Sequence, residues 1–293
     1  MKVLLTGASG FLGKAIIASL GDEHELISLG RSKTNTIQID LATQVPSLPK
    51  VDFVIHAAGK AHIFPKTEEE KQSFFKVNEI GTSNLLKGIN HKPKAILFMS
   101  TVAVYGKETG NQLDEESPLL GNSPYALSKI KAEQNIKSWS ENNDVNHLII
   151  RIPLVVGNDA PGNLGAIIKA IKSGYYFRLG NGEARKSMVL AEDIAEAIPQ
   201  WIGKNGIFNL TDGCHPSLAE LDEYIAEGLG KKVRKLPVNF LKAIGKIGNY
   251  IPGFPLNSYR IDKLSNELTF SDQKARKELN WNPRPVVGTF KPY

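Results

Sequence analysis

The chain has 293 residues, enough to bury a large core as one long α/β domain or as a domain with a smaller lobe. With 41% hydrophobic and 23% charged residues the composition is that of a soluble globular protein, and the apolar runs fall far short of a bilayer span. A single cysteine, Cys214, excludes an internal disulfide and a multi-cysteine metal site, and the net charge of +6 is interleaved with acids, without the dense basic block of a nucleic-acid partner.

Lys2-Val3-Leu4-Leu5-Thr6 reads as a short buried strand. No charged and apolar regions of a signal peptide precede it, so a cytoplasmic location is expected. Gly7-Ala8-Ser9-Gly10-Phe11-Leu12-Gly13 follows at once, and Ala15, Ile16, Ile17, Ala18 and Leu20 then give a helical apolar pattern. Strand, glycine-rich turn and helix form the arrangement that cradles a pyrophosphate. Gly7 permits the tight turn, Gly10 the close backbone approach and Gly13 the packing of helix on strand, while the helix N-terminus supplies N–H donors. His24 to Leu29 reads as a second strand ending at Gly30-Arg31-Ser32. An acid here would bind the adenosine ribose, whereas an Arg accommodates a 2′-phosphate, so Arg31 favours NADP over NAD. Thr36 to Asp40 is a third strand, with Asp40-Leu41 placed to flank the adenine. Val51 to Ala58 is a fourth, nearly all apolar as a central parallel strand is, and Ala57-Ala58-Gly59 are small enough for a cofactor to lie against the backbone. His56 reads as a packed strand residue, and His62 as a loop residue within reach of a substrate.

Residues 67–90 form a long helical segment, with Phe74, Phe75, Val77, Ile80, Leu85, Leu86 and Ile89 as its apolar positions. Asn78 lies beside them and needs partners if buried. Lys94 to Met99 is a fifth strand, leading into Ser100-Thr101-Val102-Ala103-Val104-Tyr105-Gly106 and so placing hydroxyls at a carboxyl end of the sheet. After a polar loop, 107–123, comes Ser123-Pro124-Tyr125-Ala126-Leu127-Ser128-Lys129. Ser123 suits an N-cap and Pro124 a first turn, of a helix running to about Asn142. Tyr125 and Lys129 share one face of it, and an ammonium beside a phenol favours phenolate, a way to build a proton donor and acceptor near neutral pH. The spacing recurs at Tyr259 and Lys263, so spacing alone decides nothing. Asn146 to Ile152 is a sixth strand, and the alternation of strands and helices predicts a doubly wound parallel sheet. Beyond residue 155 helices are expected near 163–173, 190–203 and 217–229, with a basic amphipathic helix around 240–247 read as packed in a lobe rather than on a membrane.

Taken together, these residues resemble the extended short-chain dehydrogenase/reductases of the NAD-dependent epimerase/dehydratase type, which act on nucleotide sugars. The matching motifs, in the family's order, are Thr6-Gly7-x-x-Gly10-x-x-Gly13, Asp40-Leu41, His56-Ala57-Ala58-Gly59, Asn78-x-x-Gly81-Thr82, Ser100-Thr101-x-x-x-Tyr105-Gly106 and Tyr125-x-x-x-Lys129. Arg151 to Gly157 is similar to the family's segment beside the nicotinamide, and Lys186 to Ala195 to its late substrate-domain motif. The resemblance implies a Rossmann-type domain over residues 1–155. Residues 156–293 would be mainly a smaller substrate-binding lobe, with some segments returning to the first domain. It implies that Tyr125 is the general acid/base, that Lys129 holds the nicotinamide ribose and keeps Tyr125 acidic, and that Thr101 bonds the same substrate oxygen. Ser9, Phe11, Leu12 and Pro153 join the cofactor site with the glycines, while Asn163 and Lys186 contact the substrate. A homodimer through the helices of Asn78 and Tyr125 is implied as well, with no metal, no membrane span and no nucleic acid.

Departures from the family pattern narrow the chemistry. Val102-Ala103 stands where 4,6-dehydratases carry an Asp-Glu pair, and Cys214 lies too far along to serve an epimerase/reductase. Leu154 replaces an Asn common in epimerases, and Lys186 replaces the usual Arg, keeping the charge for a phosphate but losing the bidentate fork. The expected reaction is reduction of a UDP- or dTDP-linked 4-keto sugar in polysaccharide precursor synthesis, using dissociable NADPH. A 4-epimerase with tightly bound NAD is the alternative, and a catalytically silent NAD(P)-sensing binding protein is the alternative from another class.

Overall fold

The computed structural model describes residues 1–61, 63–158, 160–236 and 266–292, without the side chains of Asn163 and Leu179. His62, the second Tyr-x-x-x-Lys pair at Tyr259 and Lys263, and the basic segment 240–247 lie outside the described residues.

Strand β1 (Lys2–Thr6) leads through the glycine turn into α1 (Phe11–Leu20), and β2 (Glu25–Gly30) and the short β3 (Ile37–Gln38) follow. The chain then crosses to β4 (Phe53–His56). Next come α2 (Glu68–Phe74), a π-helical turn at Phe75–Ile80 and α3 (Gly81–Gly88), where an uninterrupted helix is expected from the sequence. Strand β5 (Ala95–Thr101) runs into a 3-10 turn at Val102–Tyr105, β6 (Gly110–Leu113), α4 (Pro124–Asn143) and β7 (Asn146–Ile152). Beyond them lie β8 (Leu154–Val156), α5 (Gly162–Lys172), β9 (Phe177–Leu179), β10 (Met188–Leu190), α6 (Ala191–Ala197), β11 (Gly206–Asn209), α7 (Leu218–Gly228), β12 (Arg234–Leu236) and β13 (Leu268–Phe270).

Seven strands form one sheet in the order β11-β7-β5-β4-β1-β2-β3, every pairing parallel. This is the Rossmann-type doubly wound arrangement. The chain starts at β1, winds outward to β3, then returns to β4 on the other side of β1, so the switch point lies between β1 and β4. Successive residues of a strand point to opposite faces, and both faces are covered. Val3, Leu5, Phe53 and Ile55 pack with Ile16 and Leu20 of α1 and with Ile194 of α6, whereas Leu4, Val54, Ile96 and Phe98 pack with Leu85 of α3 and Ala132 and Ile136 of α4. A separate cluster, Val156, Leu164, Met188, Leu190, Leu221 and Ile225, holds β8, β10, α5 and α7 together. Strand β11 returns from this later part of the chain to the edge of the large sheet, beside β7.

Candidate active site

The glycine turn stands at the switch point. Gly7 has a φ of +77°, and a Cβ there would come within 2.7 Å of the Ala57 carbonyl carbon and the Ala58 nitrogen. A Cβ on Gly13 would stand 2.1 Å from the Gly7 carbonyl oxygen. Glycine at these positions lets turn, helix and neighbouring loop close on one another, which is the cradle a pyrophosphate requires. Gly10 starts α1 without a side-chain cap, so the first N–H groups and the positive end of the dipole are available to an anion. Ser9 is exposed beside it, and Phe11 and Leu12 are half-buried in the first turn. Ala57 and Ala58 donate their N–H groups to the Thr6 carbonyl and hydroxyl at 3.2 and 3.1 Å, and Gly59 is exposed next to them. Arg31 is exposed directly after β2. Asp40 receives the Ala42 N–H at 3.0 Å, and Leu41 is buried, its carbonyl taking the Asn84 amide at 2.8 Å. The turn, the small residues of 57–59 and the end of β2 thus fit a dinucleotide cofactor.

Helix α4 begins as its sequence dictates, with the Ser123 hydroxyl accepting the Ala126 N–H at 3.1 Å and Pro124 in the first turn. This brings Tyr125 beside Thr101 at the carboxyl end of β5, close enough for the Thr101 hydroxyl to act on the phenol. Thr101 itself accepts the Ala103 N–H at 3.2 Å, which fixes its hydroxyl at the head of the 3-10 turn. Phe74 packs against the Tyr125 ring, with centroids 6.1 Å apart. Lys129 is 4% exposed. Its ammonium donates to the Met99 carbonyl at 2.6 Å and stands 3.9 Å from the Phe98 ring centroid. Burial lowers this ammonium to about 7, against the opposing attraction of Glu133.

The electrostatics differ from what the spacing of Tyr125 and Lys129 suggests. Burial pushes the Tyr125 phenol up, and the Thr101 hydrogen bond is what opposes that rise. Lys129 is turned to the Met99 carbonyl and the Phe98 ring, and burial lowers its ammonium to about 7.

A buried hydrogen-bond chain joins the two halves of the site. The Thr82 hydroxyl donates to the Asn78 carbonyl at 2.5 Å, so it accepts the His56 Nε2–H at 2.8 Å. His56 Nδ1 then accepts from the Thr6 hydroxyl at 2.6 Å, and that hydroxyl receives the Ala58 N–H. Burial and the nearby Lys129 hold the imidazole neutral, its titration lowered to about 3. In the π-helical turn, the Asn78 side chain receives the Lys60 N–H at 2.7 Å and donates to the Lys60 carbonyl and to the Ser128 hydroxyl at 3.1 and 2.9 Å. Ser128 donates to the Tyr125 carbonyl at 2.8 Å. The wider π turn carries this inward-facing amide between the loop after β4 and the head of α4. Sequence reading singles out Asn78 as needing partners but does not supply them, and it leaves out Ser128 and Glu133 altogether. Glu133, eight residues beyond Tyr125 on the same helical stripe, carried the signal that would have found it.

The remaining expected contacts lie elsewhere in the chain. Pro153 is half-buried between β7 and β8. Lys186 is half-buried and donates to the Asn266 carbonyl at 2.5 Å. Asn163 belongs to the first turn of α5. A cleft of about 600 Å³ lined by Phe11, Lys14, Ala18, Asn158 and Ala191 includes none of Thr101, Tyr125 and Lys129. Among the described residues there is no group of three His, Cys, Asp or Glu that could hold a metal ion, and no helix long and apolar enough to cross a membrane.

The model of the NAD dependent epimerase/dehydratase family matches residues 3–210. The chain belongs to that family. Within the NAD dependent epimerase/dehydratase family, UDP-glucose 4-epimerase from Vibrio cholerae is 26% identical, over 96% of this chain and 90% of its own. GDP-6-deoxy-D-talose 4-dehydrogenase from Aggregatibacter actinomycetemcomitans is also 26% identical, over 78% of this chain and 80% of its own. The crystal structure of UDP-glucuronic acid 4-epimerase from Bacillus cereus, in complex with UDP-glucuronic acid and NAD, shares the fold with a TM-score of 0.78 at 18% identity, covering 98% of this chain and 95% of that one. The family match runs from β1 through β11 and so takes in the whole seven-stranded sheet together with Thr101, Tyr125 and Lys129.

Proposed function

We propose that the protein is an NAD(P)-dependent oxidoreductase acting at C4 of a nucleotide sugar, as a reductase of a UDP- or dTDP-linked 4-keto sugar. The observation that carries this reading is Tyr125 set beside Thr101, with Lys129 buried one turn along the same helix, at the carboxyl end of β5 and one strand from the switch point. Gly7, Ser9, Gly10, Phe11, Leu12 and Gly13 would hold the pyrophosphate, Asp40 and Leu41 would flank the adenine, and Arg31 would take a 2′-phosphate. Ala57, Ala58, Gly59 and Pro153 would line the nicotinamide side, with Lys129 on its ribose. The nicotinamide, when bound, supplies the hydride chemistry. Tyr125 delivers a proton to the C4 oxygen, and Thr101 shares that oxygen and orients the phenol. The rise in the Tyr125 phenol suits a proton donor, because it keeps the hydroxyl protonated at neutral pH. Lys129 orients the ribose, and Asn163 and Lys186 would meet the nucleotide diphosphate in the smaller lobe. Cytoplasmic location and a homodimer through the helical segment of Asn78 and through α4 belong to the same reading. Ile80 and Leu127, exposed apolar residues on these two segments, are consistent with such a dimer.

A second reading, a 4-epimerase that retains NAD, is favoured by the relative from Vibrio cholerae, a UDP-glucose 4-epimerase. Against it stands Arg31 with no acid at the end of β2. Pure protein incubated with UDP- and dTDP-4-keto-6-deoxy sugars and NADPH or NADH, and separately with 4-hydroxy UDP- and dTDP-sugars without added cofactor, separates the two. Stoichiometric loss of reduced cofactor supports the reductase, whereas interconversion of C4 epimers without added cofactor overturns it in favour of the epimerase. Tyr125→Phe is expected to abolish turnover and spare cofactor binding, and unchanged turnover in that variant would remove Tyr125 from the chemistry.

A further inference from the structure

Helix α4 carries a third residue on the stripe of Tyr125 and Lys129, and all three meet consecutive residues at the carboxyl end of β5. The Tyr125 phenol lies beside Thr101, the Lys129 ammonium donates to the Met99 carbonyl, and the Glu133 carboxylate accepts from the Ser100 hydroxyl. Glu133 is 4% exposed and also accepts from Arg151, Nε at 3.2 Å and Nη2 at 2.8 Å. Ser100 and Arg151 are register partners on β5 and β7, so one carboxylate ties α4 to both strands at the level of the catalytic pair. Arg151 is held from behind, its Nη1 donating to the Tyr105 hydroxyl at 3.0 Å, and that hydroxyl donates to Asn209 of β11 at 2.7 Å.

The titratable and charged groups around Lys129 come from two strands and its own helix. Tyr125 and Glu133 share α4, neutral His56 stands on β4, and Arg151 on β7 lies behind the carboxylate that it grips. The π-helical turn contributes only the uncharged Asn78, bonded to Ser128. Among these groups Glu133 is the anion.

We propose that Glu133 is a positioning residue for Lys129: clamped by Ser100 and Arg151, it sets the seat of α4 on β5 and supplies the negative charge that the buried ammonium faces. The proposal rests on the reading that Lys129 serves the cofactor. A buried ammonium loses its proton unless an anion compensates the lost solvation. Lys129 already titrates near 7 with Glu133 pulling it upward. Glutamine at 133 keeps one oxygen for Ser100 and Arg151 Nε, loses the bond that Oε2 accepts from Arg151 Nη2, and removes the charge, so the titration of Lys129 rather than stability is the readout that isolates the electrostatic role.

The test follows the titration of Lys129 itself, in the full chain labelled with 13C-lysine, its resonance assigned by loss in Lys129→Met. In the wild type the midpoint is expected near 7. In Glu133→Gln it is expected to fall by about one pH unit or more. An unchanged midpoint would overturn the proposal. If Arg151, left as a buried unpaired cation, prevents Glu133→Gln from folding, Glu133→Gln/Arg151→Met removes both charges; the lost cation works the other way but stands behind the carboxylate, so a smaller fall is expected, and a midpoint at or above the wild-type value overturns the proposal. NADPH and NADH binding, measured by fluorescence on the same samples, keeps the two ideas apart. A wild type that binds neither cofactor refutes the functional reading, while the Lys129 titration still decides the role of Glu133.

Discussion

Replacing Lys129 by Met is expected to stabilise the protein while destroying its activity. The side chain is 4% exposed, and burial lowers its ammonium from the ordinary 10.5 to about 7. Between those two values the unfolded chain binds more protons than the folded one, so this residue makes stability rise as pH climbs through that window. At ~1.4 kcal/mol per pH unit, the gap of ~3.5 units sets an upper bound of ~5 kcal/mol on the penalty when the ammonium is fully charged. Relaxation and water penetration reduce such penalties, and about 2 to 3 kcal/mol is the expected net value. Methionine matches the length and apolar body of lysine but loses the 2.6 Å bond to the Met99 carbonyl, which costs ~1 kcal/mol. The variant is therefore expected to exceed the wild type by ~1 to 2 kcal/mol near pH 6 and to lose that advantage by about pH 10. Urea unfolding at several pH values, with equal m-values in both proteins, reads this directly. A variant no more stable than the wild type at pH 6, or an advantage that does not shrink as pH rises, would refute the reasoning.

Three further outcomes are expected. Gly13→Ala drives a Cβ to within 2.1 Å of the Gly7 carbonyl, backbone that cannot step aside without opening the turn, so NADPH should no longer raise the melting temperature of that variant. His56 is neutral in the fold down to about 3 but titrates at 6.5 when unfolded. The wild type therefore loses stability as pH falls through that interval, and acid unfolding followed by circular dichroism should show this contribution missing in His56→Ala. The same substitution leaves the Thr6 and Thr82 hydroxyls without the ring between them, at a cost of ~2 to 4 kcal/mol at neutral pH. Arg31→Ala is expected to weaken NADPH binding several-fold and leave NADH binding unchanged by calorimetry, and equal losses for both would return the cofactor choice to NAD.

The parts of the site that depend on short-range rules were legible in the sequence. Gly7, Gly10 and Gly13 announce a tight turn, and the structure shows the clashes that a side chain would meet at Gly7 and Gly13, whereas a Cβ at Gly10 would stand 3.1 Å from the Gly7 carbonyl oxygen. Ser123 and Pro124 place the start of α4 to the residue, because a capping oxygen and a fixed φ act locally. Period and polarity separate strands from helices, and a sheet buried on both faces follows from strands that are apolar throughout. Local rules also predict β3 over residues 36–40, where the structure keeps only Ile37–Gln38, since an edge strand needs a neighbour on one side alone.

Tertiary structure decided what those residues are able to do. The π-helical turn at 75–80 carries Asn78 to a loop and a helix distant in sequence, which periodicity cannot foresee. His56 became a neutral bridge between Thr6 and Thr82 only once β1, β4 and α3 were packed together. Above all, the titration of Tyr125 depends on burial and on Thr101, and that of Lys129 on burial and on Glu133, whose partners come from β5 and β7. Sequence determined which side chains stand four apart on one helix. Desolvation, which exists only after the sheet has closed around them, determined the charge each one carries.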